Sequence, residues 1–148
     1  MKKVFIFFGC LFIFLPTVYA DNINIDCPDS IAENQVFVCE ITGDTNTDVS
    51  SINAEIILSD DLSLVGFIPS DEWLGNGLEG VIDLYSDNII NNSFNIGYLK
   101  LKNNGGENNI ISIESIYFYN SNKEESIVDS VTNSILIDDN VDEGTDLD

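Results

Sequence analysis

The sequence predicts an all-β domain, a sandwich or barrel. Runs of alternating apolar residues recur at short intervals. Clusters of Gly, Asn, Asp and Ser separate them, and no long stretch keeps a 3.6-residue period. Short strands with turn signals between them are the mark of an antiparallel β fold.

Strands are expected near residues 22–27, 35–42, 51–58, 62–68, 79–85, 93–102, 110–119 and 131–137, with weaker ones near 72–75 and 126–129. In the first, Ile23, Ile25 and Cys27 share a face, because side chains alternate with a period of two. In the second, Phe37, Cys39 and Ile41 do. The third alternates most cleanly, with Ile52, Ala54, Ile56 and Leu58 on one side and Asn53, Glu55, Ile57 and Ser59 on the other. Turns are expected at Cys27 to Ser30, Gly43 to Asp48, Ser59 to Asp61, Gly75 to Gly77, Asn91-Asn92 and Asn103 to Gly106. Two strands change phase. Phe94 and Ile96 give way to Leu99 and Leu101 across Gly97, and Ile111 and Ile113 to Ile116 and Phe118 across Glu114-Ser115. Either a β-bulge keeps all four on the core side, or each strand is buried on both faces.

Residues 1–20 read as a signal peptide. Lys2 and Lys3 precede the apolar run Val4–Leu15, and Val18 and Ala20 are the small residues of a cleavage site. Cys10 lies inside that run with no Leu three residues before it, which argues against a lipid anchor. Residues 21–138 form the predicted domain, and 139–148 an acidic tail or linker with few apolar residues. The expected location is therefore outside the cell or on its surface, with no membrane insertion of the mature domain.

Export favours oxidised thiols, and Cys27 and Cys39 both point into the same core. A Cys27–Cys39 disulfide is the expected state, two buried free thiols the alternative.

The formal net charge is −21, and −23 once Lys2 and Lys3 leave with the leader. Such a chain repels nucleic acid and attracts basic partners. It contains no His, and all five basic residues are Lys. That excludes His-based nucleophilic triads, His ligands for metals and bidentate Arg clamps. A two-carboxylate hydrolase remains formally open, but such enzymes need a larger scaffold with a cleft. The chain therefore reads as a non-enzyme with no cofactor.

The stretch Gly43–Glu55, GDTNTDVSSINAE, approaches the spacing of an EF-hand calcium loop. It fails at Val49, where the loop needs Gly, and at Ser51, where it needs an apolar residue. Glu55 belongs to the cleanest strand. The stretch is expected to be a strand-to-strand turn, with a looser calcium site at Asp44, Asn46 and Asp48 as the alternative. Trp73 lies in a polar, glycine-flanked stretch, where it either stacks on a sugar ring or plugs the sandwich edge.

The order of elements resembles the cohesin domain. The resemblance rests on GVIDLYS (80–86), FNIGYLKLK (94–102), IISIESIYFYNSNKEESI (110–127) and NSILI (133–137), preceded by INIDC, QVFVCEIT and INAEIIL. It spans about residues 22–138. It implies a jelly-roll or immunoglobulin-like β-sandwich of about nine strands, and a non-enzymatic module that binds a dockerin-like protein through one open sheet face. On that analogy the partner surface comprises Asn53, Glu55, Ile57, Val81, Asp83 and Tyr85. The competing expectations are a carbohydrate-binding module, with Trp73 and one or more of Tyr85, Tyr98, Tyr117 and Tyr119 stacking on polysaccharide, and a structural spacer of a surface protein. Oligomeric state is left open.

Overall fold

A computed structural model describes residues 21–138. The expected signal peptide and acidic tail lie outside the described residues. The strands are β1 (Asn22–Asp26), β2 (Ser30–Ile31), β3 (Val36–Leu58), β4 (Leu62–Pro69), β5 (Leu74–Asn76), β6 (Val81–Asn103), β7 (Ile110–Tyr119), β8 (Glu125–Val128), β9 (Val131–Ser134) and β10 (Leu136–Ile137). A 3₁₀ turn, Leu78–Gly80, leads into β6.

Two long strands organise the sandwich. β3 and β6 each run 23 residues and pair antiparallel along most of that length. Residues 36–45 of β3 and 92–103 of β6 form one layer with β1 and β4 at its edges. Residues 48–58 and 81–91 form the other layer. There β7 flanks β3, β8 and β9 flank β7, and β5 closes the far edge. A short parallel pair, β2 with β10, completes the fold. Ile41, Ile52, Ile82, Ile96, Leu99 and Ile113 from both layers are fully buried between them.

The turns expected at Gly43–Asp48 and Asn91-Asn92 are corrected. Each is a corner inside a continuous strand, where the chain passes from one layer to the other. The β3–β6 register slips between Thr45 and Asp48 and again between Val49 and Ser51, and Asn92 opposite Thr45 has a φ of 59°. Both strands bend at the same place, so the ladder continues around the corner. Residues that favour turns also bend a strand pair, since both need locally irregular backbone.

Both phase changes are bulges. The β3–β6 register shifts between Ile41, opposite Gly97, and Thr42, opposite Asn95, so Ile96 is the extra residue, and Phe94, Ile96, Leu99 and Leu101 are all buried. A Cβ on Gly97 would lie 2.5 Å from the Ile68 carbonyl oxygen, so only glycine fits this approach of β4. In β7 the shift falls between the partners of Asn53 and Glu55, with Ser115 at a φ of 50°. Ile111, Ile113, Ile116 and Phe118 are again all inside.

The disulfide joins Cys27 to Cys39, with Cα atoms 4.3 Å apart. β1 delivers it: its last residue, Asp26, pairs with Glu40, so Cys27 just beyond the strand faces Cys39, the residue before Glu40.

Of the two roles open to Trp73, stacking on a sugar or plugging the sandwich, it takes the second. It is 3% exposed, with its ring 5.8 Å from that of Phe94, and its indole N–H donates to the Asn95 carbonyl at 3.0 Å. Phe94 in turn lies 5.8 Å from Phe118 of the opposite layer. Neither ring face is open to a sugar. Burial removes a large apolar surface from water, and the carbonyl satisfies the one polar atom.

Candidate interaction face

The six residues expected to form a partner surface are brought together. β3 and β6 place Asn53 opposite Asp83 and Glu55 opposite Val81, while Tyr85 stands opposite Ser51. Ile57 continues the outward row of β3. All six project from the outer side of the second layer, because their inward neighbours Ile52, Ala54, Ile56, Ile82 and Leu84 fill the core. The Asn53 side-chain amide donates to Asp83 at 2.8 Å, which fixes both side chains on the face.

Neighbouring strands extend this surface. One row across the sheet reads Leu74, Tyr85, Ser51, Tyr119 and Glu125. The next reads Asn76, Asp83, Asn53, Tyr117 and Ile127. Tyr85 is 52% exposed and Ile127 76%, with Ile57, Val81 and Leu74 each nearly half exposed. Leu74 and Ile127 are additions to the partner surface read from the sequence. Ile127 carries a weak signal in the alternation of β8, whereas Leu74 sits in a three-residue strand too short to show a phase.

The face is acidic as well as apolar. Glu55, Asp83, Glu114 and Glu125 stand on it. Lys100 and Lys102 pair with Val38 and Val36 in the other layer, and Lys123 sits in the turn between β7 and β8. The Tyr119 O–H donates to Glu125 at 2.9 Å, and this bond holds the phenol above its ordinary range. Exposed aromatic and aliphatic groups set among carboxylates suit a partner that offers apolar anchors beside cations.

The alternative calcium residues are spread over several partners. Asp44 accepts from the Ser93 hydroxyl. Asp48 accepts from the Ser121 N–H at 2.7 Å, which lowers its pKa. The Asn46 N–H reaches Asp21 at 3.4 Å. Among the described residues no group of three or more acids or cysteines is gathered where it could hold a metal. Tyr98, a proposed stacking residue, lies on the outer side of the first layer, apart from Tyr85, Tyr117 and Tyr119.

The architecture is that of a jelly-roll β-sandwich: two layers sharing long strands, with one broad outer sheet face left open. Among solved structures it shares this fold with cohesins. The cohesin module of a Clostridium perfringens family 33 glycoside hydrolase superposes with a TM-score of 0.70 at 12% identity, covering 80% of this chain and 97% of that one. A non-cellulosomal cohesin from the archaeon Archaeoglobus fulgidus gives 0.57 at 13% identity, covering 79% and 91%. A type II cohesin–X-dockerin complex from Acetivibrio cellulolyticus gives 0.54 at 10% identity, covering 80% and 95%. No family model matches the chain, and no curated protein matches it in sequence. The likeness is one of fold: a cohesin-like β-sandwich.

Proposed function

We propose that this chain is an exported, non-enzymatic module that binds a protein partner through the outer face of β7, β3, β6 and β5, with a dockerin-type module as the partner class. The observation that carries this is the register that gathers Tyr85, Ile57, Val81, Glu55 and Asp83 on one exposed face. The cohesin–X-dockerin complex among the similar structures supports the partner class. The leader-like residues 1–20 and the disulfide support export.

The test is capture of a partner from the secreted proteome, followed by affinity measurement with Tyr85→Ala. Loss of about 2 kcal/mol, with the unfolding transition unchanged, is expected for an interface aromatic. Undiminished binding by Tyr85→Ala and Ile57→Ser would remove the face from consideration. A second reading rests on Tyr85, Tyr117 and Tyr119 sharing this face, an arrangement that also suits stacking on polysaccharide. A glycan array run beside the capture separates the two.

A further inference from the structure

β4 leaves one edge open onto an apolar slot. Among the described residues it pairs with β6 alone. Residues 64–67 of β4, residues 76–80, Ile56 and Leu58 together line a groove of about 430 Å³, closed at one end where Gly77 packs on Phe67. Leu64 and Phe67 pack against the core and Val65 is exposed. β6 takes one edge of β4, so the backbone N–H and C=O groups of the other edge have no strand partner among the described residues.

This edge is lightly guarded. Edge strands are usually protected by charges, proline or bulges. The sequence of β4, LSLVGFIP, holds no charge, and its proline is terminal. Val65 and Ile68 are 52% and 61% exposed. The guard is a bulge at Val65, where the register with β6 shifts, and it limits the free edge to a short run. Across the slot Leu78 is 70% exposed, and Glu79 is the one ionisable group in the lining. The volume falls within the roughly 300–1,000 Å³ of ligand sites.

We infer that the β4 edge is a second docking site, which takes a short extended peptide of apolar residues flanked by lysine or arginine. The peptide adds as a strand to β4 and places alternate side chains between β4 and residues 76–80. Charge sets the partner's sign. Glu79 faces the slot, and the chain carries −21 overall, which also disfavours a second copy of itself at this edge. The slot shares only Asn76 with the Tyr85 face, and Tyr85, Ile57, Glu55 and Asp83 lie outside its lining, so the inference stands or falls apart from the proposed partner.

The probe is a blocked six-residue peptide alternating valine and lysine, titrated into the isotope-labelled protein. The amides of residues 64–67 should shift and exchange more slowly. Glu79→Gln and Leu78→Ser, both at surface positions, should weaken the peptide severalfold, and Tyr85→Ala should leave it unchanged. N-methylation of alternate peptide amides should abolish binding, and glutamate in place of lysine should remove most of it. Four outcomes would overturn the inference: no shift at millimolar peptide, shifts centred on Glu55 and Asp83, equal binding of either control peptide, or self-association of the protein that Val65→Lys abolishes.

Discussion

Glu55 and Glu114 stand directly opposite each other across β3 and β7 on the outer sheet face. Like charges in this cross-strand relation destabilise a sheet by a few tenths of a kcal/mol up to about 1. The pair sits on the surface proposed to meet a basic partner, so its cost in the free protein is relieved when a cation arrives. Glu114→Gln should raise stability by about 0.5 kcal/mol in urea unfolding. The same change should slow association with a basic partner at low salt, which stopped-flow measurement would detect. A stability loss would show that the two carboxylates are held apart.

Trp73 provides an optical test of its own position, because it is the single tryptophan. Its emission should be blue-shifted, poorly quenched by iodide and insensitive to polysaccharide. Trp73→Ala should cost about 3–5 kcal/mol, as for other buried aromatics replaced by alanine.

The Cys27–Cys39 bond closes a short loop, with 12 residues of sequence separation. Non-reducing peptide mapping should recover the linked pair. Reduction should lower stability by about 3 kcal/mol on the loop-entropy model, read as a lower urea midpoint.

Tyr119 should ionise late in an ultraviolet titration. Its bond to Glu125, together with the charge of that carboxylate, raises the folded pKa above the ordinary 10.0. The sign follows from which form the fold favours: the contribution is whole below pH 10 and is lost as pH rises through the folded value. Tyr119→Phe should remove this alkaline dependence, and Glu125→Gln should bring Tyr119 back toward the ordinary value.

Asp48 behaves in the opposite sense. The Ser121 N–H lowers its pKa below 3.8, so its contribution is present above that value and lost as pH falls through the folded one. Asp48→Asn should flatten stability in that acid window. Chelator should leave cooperative unfolding in place, since the groups around Asp44, Asn46 and Asp48 bond to Ser93, Ser121 and Asp21. Loss of the transition on chelation would restore the calcium reading.

The inward faces of the strands were legible because burial imposes alternation, and the bulges at Gly97 and Ser115 showed as reversals of its phase. The corners at Gly43–Asp48 and Asn91-Asn92 were not. A left-handed Asn92 serves a reversal of the chain and a bend of a paired strand equally well, and only the distant partner strand decides between them. Trp73 stays undecided in the sequence for a related reason. Its polar neighbours suggest exposure, but its burial is set by Phe94 and by the carbonyl of Asn95, 22 residues away. The candidate face was reached through the cohesin resemblance together with the outward parity of β3 and β6, whereas its extension by Leu74 depends on a pairing no local pattern reveals. The β4 slot arises from the approach of two segments with no common motif.

Because β3 and β6 serve both layers, neither layer can melt while the other persists. Separating the β3–β6 ladder at one end strips the corner residues that hold the other. Native-state hydrogen exchange should therefore find the slowest amides along the whole of both strands, at one common opening free energy equal to that of global unfolding. The short edge strands β5, β8 and β10 would open independently beneath it. Sequence-distant pairing of this kind also makes assembly slow, since the ladder joins residues such as Val36 and Lys102 only after a long loop has closed.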